Sequence, residues 1–374
     1  MTKIYYLMYK DKKCLSFEYD KKSKTLSKII ELEGFDFLKQ KNEEDLKNFL
    51  FLDDFLATSR PNYENLLKNF DSKLEVIEKY HKLNLNNCFW IKELNENITF
   101  DEINLFDHFE NELTDYSMSK KLVYKNTELK QSPDWFTEGQ MIKSWVKEND
   151  DIYLIKAPNY LASKLSFENY AEYFASQLVN VLTFNFVSYD LVMYKKKLVS
   201  KSKLFSSKKI NYISFSKLIS KNDLLQEEIE EFLYAYYGKE NYEDLMVIDT
   251  LILNADRHLG NFGMLFDSES EKFIGTAPLF DFNKSLLYDF PLYNEKTLKK
   301  EIDEYTKRPT TFYNSFDEQL EKFAKPRHKQ WVEKLKKFKF KEHDNFKVNK
   351  NYLKAITLLV KKQIKKLEKI INHS

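Results

Sequence analysis

The sequence predicts an α+β chain in which strand-rich segments come first and a mainly helical part follows. Three observations predict this. Residues 3 to 19 alternate apolar and polar, and compact apolar runs recur at Ile152–Lys156, Val187–Tyr194 and Leu198–Leu204, as strands do. Beyond residue 205, apolar residues fall at helical spacing over 223–236, 241–253, 315–325, 328–338 and 349–371. The chain has 374 residues, 43% hydrophobic and 16% aromatic, which is long enough for two or three compact parts and too apolar for disorder.

Composition excludes several classes. The two cysteines, Cys14 and Cys88, show no paired spacing, so neither a disulfide framework nor a Cys-based zinc site is expected. The opening M-T-K-I-Y-Y-L-M-Y-K-D-K-K holds too short an apolar stretch for a signal peptide. No run approaches the roughly 20 apolar residues of a membrane span. A soluble cytoplasmic protein is the expectation. Net charge is +2, but residues 321–374 carry 17 Lys/Arg against 5 Asp/Glu, which leaves the rest of the chain at about −10. A Lys-rich helix face in solvent is the simpler reading of this excess, and a surface for an acidic partner or nucleic acid the sharper one. With no clustered Arg and no nucleic-acid-reading motif, direct nucleic-acid binding is not expected.

Taken in order, residues 1–120 form an N-terminal α/β extension. K-I-Y-Y-L-M-Y-K and C-L-S-F-E-Y flank a D-K-K turn as a hairpin, and helices follow over 43–82, the second opened by Pro61. Residues 121–205 form the next part. Its run F-T-E-G-Q-M-I-K-S-W contains Gly139 and Gln140, in either an ordinary hairpin turn or a phosphate-covering loop. Lys156 ends the strand Ile152–Lys156, where a buried ammonium needs a partner. The stretch 166–182 is an amphipathic helix, with Phe167, Tyr170, Ala171, Phe174, Leu178 and Val181 as its stripe and Ser166 as its cap. Glu168 sits in its first turn, where an acid suits the helix dipole. Glu172 lies at the stripe's edge, and it faces either the strand or solvent; periodicity does not separate the two. Residues 206–374 form the helical part, and the helix over 241–253 is apolar on most faces and should be buried.

The chemistry-bearing stretch runs from Val247 to Phe282. N-A-D-R-H-L-G-N-F-G (Asn254–Gly263) follows the end of an apolar helix, and A-P-L-F-D-F (Ala277–Phe282) delivers Asp281 at the end of a short apolar strand. Asp256 and Asn261 are five residues apart, the interval that separates a catalytic-loop carboxylate from a metal-binding amide in protein kinases, where a separate acid supplies the second ligand. Oxygen ligands of this kind suit a hard cation such as Mg²⁺. Only 4 of the 60 basic residues are Arg, and one of them, Arg257, lies inside this loop; an incidental cation in this chain would be Lys. His258 is expected to be architectural.

Together these segments resemble the HipA-like kinases, bacterial serine/threonine protein kinases with a two-lobed protein-kinase-like fold. The resemblance is most specific in Asn254–Gly263 and Ala277–Phe282, and it extends through G-Q-M-I-K, L-I-K-A-P, A-E-Y-F-A-S-Q-L and D-E-Q-L. It implies ATP and Mg²⁺ as cofactors and a protein substrate with a Ser or Thr acceptor. Asp256 would be the catalytic base, Asn261 and Asp281 the metal ligands, Lys156 the phosphate-holding lysine and Glu172 its ion-pair partner, with Gly139 and Gln140 in the phosphate-covering loop. Asn283 stands where kinases carry the Gly of Asp-Phe-Gly. Autophosphorylation, with Ser132 or Thr137 as acceptor, is a further expectation. Two alternatives stay open: a phosphoinositide-type lipid kinase, which shares D-R-H-x-x-N, and a toxin component acting through a DNA-binding antitoxin partner.

Overall fold

The computed structural model describes residues 2–20, 22–23, 25–123, 131–158, 166–183, 185–219, 225–289 and 297–373. The chain divides into two compact units. The first comprises 1–155, 204–222 and 264–275, and the second 156–203, 223–263 and 276–374.

In the first unit the expected hairpin is present as β1 (Thr2–Tyr9) and β2 (Lys12–Asp20), with Tyr5 opposite Phe17 and Leu7 opposite Leu15. Two further strands complete a sheet in the order β3-β2-β1-β4: β3 (Thr25–Glu31) and β4 (Phe89–Glu93). The polar T-L-S-K-I-I-E of β3 carries no clear alternation and gives little sign of a strand in the sequence. It is an edge strand, mostly exposed on both faces, so its side chains have little to bury. Tyr9, Phe35, Phe49 and Phe89 pack as an aromatic cluster with centroids 4.7–5.5 Å apart at tilted or edge-on angles, the arrangement ring quadrupoles favour.

The helices Glu43–Phe51 and Lys73–Tyr80 are capped by Asn42 and Ser72, whose side chains accept from Asp45 N and Glu75 N. A 3₁₀ turn, Pro133–Phe136, leads into β5 (Ile142–Glu148), which pairs with β6 (Asp151–Ala157). A third sheet has the order β11-β10-β9, where β9 is Ile210–Ser214, β10 Gly263–Asp267 and β11 Phe273–Thr276. Asn211 joins it to the first sheet: its Oδ1 accepts from Tyr9 OH at 3.1 Å and from Cys88 N at 2.8 Å.

The chain enters the second unit at Lys156, within β6. The Glu168–Leu182 helix follows, with Ala171, Phe174, Leu178 and Val179 buried. Ser166 does not cap it, contrary to expectation. The cap position is Phe167, whose N donates to Tyr288 O at 2.8 Å and whose ring stacks on Tyr352 at 4.0 Å, while the Ser166 hydroxyl donates to Glu168 Oε2. β7 (Tyr189–Tyr194) and β8 (Lys197–Lys203) make an antiparallel hairpin closed by Lys195-Lys196, both at positive φ as a tight two-residue turn requires.

The Lys239–Ile252 helix is the centre of this unit. Leu245 to Ile252 are all buried, and the Phe316–Phe323 and Lys350–His373 helices pack against it. Two amides lock the packing: Gln319 Nε2 donates to Met246 O at 2.8 Å and Gln363 Nε2 to Thr250 O at 2.9 Å. On the C-terminal helix Tyr352, Ala355, Ile356, Leu359, Val360, Ile364 and Leu367 form the buried stripe. Lysines of its other face pair with carboxylates, Lys362 with Asp303 at 2.5 Å and Lys366 with Asp317 at 2.6 Å, so much of the basic excess is a solvated face studded with ion pairs. Among the described residues no helix is long and apolar enough to cross a membrane.

Candidate active site

Five of the seven residues singled out from the sequence lie in the second unit. Lys156 stands near the end of β6 with its side chain 5% exposed. Its Nζ is 2.6 Å from Glu172 Oε1 and 2.7 Å from Asp281 Oδ1. The second turn of the Glu168–Leu182 helix brings Glu172 inward, which resolves its orientation: the side chain is fully buried, and Ser200 Oγ on β8 donates to its other oxygen. Burial alone would lower the Lys156 pKa, but the charges of Asp281 and Glu172 outweigh it and hold the ammonium well above its ordinary range. Burial pushes the Glu172 carboxyl up, with Lys156 pulling the other way.

Asp281 sits at φ 60°, a left-handed conformation that Asp tolerates better than most residues. Its N donates to Tyr189 OH at 3.0 Å, and the Tyr189 ring lies 5.7 Å from Lys156 Nζ. The expected strand before it is reduced to one parallel bridge, Phe186 with Leu279, made by Val187 N to Leu279 O and Leu279 N to Asn185 O.

The loop after the Lys239–Ile252 helix is held by Arg257. The helix ends on Leu253 at φ 50°. Arg257 then reaches back to buried Asp249, Nε to Oδ2 at 2.8 Å and Nη2 to Oδ1 at 3.1 Å. Its Nη1 donates to Asn261 O at 2.6 Å and to Phe280 O at 2.9 Å. One guanidinium therefore ties together the helix, the loop and the segment that presents Asp281. Burial lowers the Arg257 pKa, and Asp249 more than restores it. Asn254 adds a second tie, donating to Asp249 Oδ1 at 3.1 Å and to Asp281 O at 3.4 Å.

Within the loop, Asn261 Nδ2 donates to Asp256 O at 2.7 Å. The donor end of that amide is thereby committed, so its oxygen is the end a cation would meet. His258 makes contacts within the loop: its Nδ1 accepts from Gly260 N at 3.0 Å, and its O accepts from Asn261 N at 2.8 Å. Asp256 keeps a partly exposed carboxylate, and Lys284 Nζ is 3.1 Å from Asp256 Oδ2. The oxygen donors Asp281 and Asn261 fit Mg²⁺ in chemical type. Among the described residues no group of three or more His, Cys, Asp or Glu forms a ready-made metal cluster.

Gly139 and Gln140 lie in the first unit, on the loop between the 3₁₀ turn and β5. Gly139 adopts φ 101°, which a side chain would strain. Buried Arg60 holds this loop, with Nη2 on Thr137 O at 2.8 Å and Nε on Gly139 O at 3.4 Å. Ser132 is buried as the cap of the 3₁₀ turn, and Thr137 donates to Pro133 O while accepting from Trp145 Nε1.

Several site residues were not found by sequence reasoning: Asp249, Tyr189, Ser200 and Lys284. Asp249 left a signal, an acid inside the otherwise apolar M-V-I-D-T-L-I. The other three left none.

No protein-family model matches the chain. The chain is 28% identical over 186 residues to the serine/threonine-protein kinase CtkA of Helicobacter pylori, an alignment covering 44% of this chain and 55% of that protein. It thus spans about half the length of the curated relative it matches. Among solved structures, the HipA of a Shewanella oneidensis toxin–antitoxin complex with HipB and operator DNA matches with a TM-score of 0.55 at 10% identity, covering 98% of this chain and 97% of that one. The crystal structure of the Helicobacter pylori proinflammatory kinase CtkA matches 62% of this chain and 93% of its own at 20% identity, with a TM-score of 0.48. The fold is α+β and HipA-like. The chain thus shares sequence similarity with CtkA over about half of that protein's length and a fold with HipA.

Proposed function

We propose that this chain is an ATP- and Mg²⁺-dependent protein kinase that phosphorylates Ser or Thr hydroxyls. The observation that carries the reading is Lys156, held at 2.6–2.7 Å between buried Glu172 and Asp281. A structural ion pair needs one acid, and a second one at the end of a segment clamped to the Asp256–Asn261 loop is what a nucleotide site requires. Homology to CtkA supports the same activity.

The acceptor oxygen attacks the γ-phosphorus, a new O–P bond forms, the bond to the β-phosphate oxygen breaks, and ADP leaves with that electron pair. Asp256 orients the hydroxyl and takes its proton. Lys156 holds phosphate oxygens, and Glu172 aims Lys156. Asn261 and Asp281 would hold Mg²⁺, which supplies neutralisation of charge on the phosphates when bound. Thr137, half-buried where Ser132 is fully buried, is the better autophosphorylation acceptor.

³²P transfer to a general protein substrate tests the reading: wild type transfers, while Asp256→Ala and Asp281→Ala do not. Full transfer by Asp256→Ala sinks the assignment of the base. Presenting phosphoinositide vesicles in parallel separates a lipid kinase. The HipA-like fold supports a second proposal, an antitoxin-type protein partner through which any DNA contact would come. Co-purification with the product of an adjacent small open reading frame tests it. Both cysteines are free and buried, which suits a reducing cytoplasm.

A further inference from the structure

One cation beside Asp256 has no part in the chemistry above. Lys284 Nζ lies 3.1 Å from Asp256 Oδ2, with side chains 25% and 31% exposed. The backbone beneath it is fixed: Ala255 N donates to Lys284 O at 3.2 Å, Ser285 N to Phe282 O at 3.1 Å, and Leu286 N to Ile252 O at 2.7 Å. The backbone of Lys284 is thus anchored against the Asp256 loop, and its side chain is only part-buried.

The neighbouring cations are otherwise engaged. Arg257 is matched to buried Asp249, and Lys156 is shared between Glu172 and Asp281. An acceptor hydroxyl in line for attack touches the Asp256 carboxylate and the γ-phosphorus together. A cation already on that carboxylate therefore lies one contact from the transferring group. A partly exposed ion pair is worth only about 0–1 kcal/mol, so phosphoryl oxygens can displace it.

We propose that Lys284 is a γ-phosphate-binding residue: its ammonium leaves Asp256 for the terminal phosphoryl group of bound ATP, and Asp256 becomes available to the acceptor hydroxyl. The proposal rests on the kinase reading. In the free protein Lys284 neutralises Asp256; in the nucleotide complex it neutralises the group that moves. It also distinguishes ATP from ADP, because ADP offers no terminal phosphoryl group at that place.

The test is calorimetric titration of wild type, Lys284→Ala and Lys284→Arg with Mg-ATP and Mg-ADP. Lys284→Ala should bind ATP about tenfold more weakly, keep ADP affinity within about twofold, and lower kcat; Lys284→Arg should recover most of the ATP affinity. ADP binding doubles as the control that the site is folded. An equal loss for both nucleotides, or no loss for ATP, overturns the proposal and leaves the kinase reading standing. Binding of neither nucleotide by wild type overturns both.

Discussion

Arg257 and Asp249 meet through two parallel contacts, Nε to Oδ2 at 2.8 Å and Nη2 to Oδ1 at 3.1 Å, with both side chains almost fully buried. The planar fork of Arg is what allows this while Nη1 still reaches two backbone carbonyls.

Arg257→Lys should therefore fail although it keeps the charge. An ammonium cannot span both Asp249 oxygens and both carbonyls, so a buried carboxylate is left underpaired. We expect a loss of about 3 kcal/mol in urea unfolding, and about 100-fold in transfer rate as Asn261 and Asp281 lose their shared anchor. Retention of wild-type kcat by a stably folded Arg257→Lys would show that the clamp does not position the loop.

Lys156 stays charged throughout the working range. Its folded pKa is raised above the ordinary 10.5, so its stabilising contribution is complete below 10.5 and lost only as pH climbs through the higher folded value. Lys156→Met should abolish transfer and, between about pH 6 and pH 9, lower stability by an amount that Lys156 titration does not change. Glu172→Gln leaves Lys156 with Asp281 alone; the expected result is a KM for ATP raised about tenfold with the fold retained, measured by steady-state kinetics and thermal melting.

Legibility followed chemistry more than burial. Asp256, Asn261 and Asp281 could be picked out because their types and spacing are constrained by what they would hold. Arg257 stood out because this chain otherwise uses Lys. Glu172 was ambiguous, since a helix Glu at the edge of an apolar stripe becomes interior only when β6 and β8 supply Lys156 and Ser200. Ser200 and Tyr189 were invisible for the same reason: their contacts arise from the hairpin's placement, not from local pattern. The helices of the second unit were readable from period alone, whereas β3 and β9 were not. β3 buries almost nothing, and β9 is five residues long and finds its partners far away in sequence.

Asp134 should make stability fall with rising pH. Burial raises its pKa above 3.8, although Ser144 Oγ and Trp145 N donate to it. A raised carboxyl favours the folded state fully below 3.8 and loses that contribution as pH rises through the folded value. Asp134→Asn should therefore flatten the fall in unfolding free energy as pH rises above about 4. Parallel curves for variant and wild type would mean that the carboxyl is ionised as readily folded as unfolded.

Gly139 tests whether the loop between the 3₁₀ turn and β5 takes part in nucleotide binding, at a position that carries no charge of its own. Its φ of 101° is open to Gly and strained for any side chain, and a Cβ there would meet the ammonium end of buried Lys143. Gly139→Ala should thus cost backbone strain, about 1–3 kcal/mol, together with the displacement of buried Lys143. Arg60 still holds Thr137 O, so the loop should shift rather than unfold. The expected kinetic signature is a raised KM for ATP with kcat reduced less. Unchanged KM in Gly139→Ala, with the strain visible in thermal melting, would place this loop outside the nucleotide's reach.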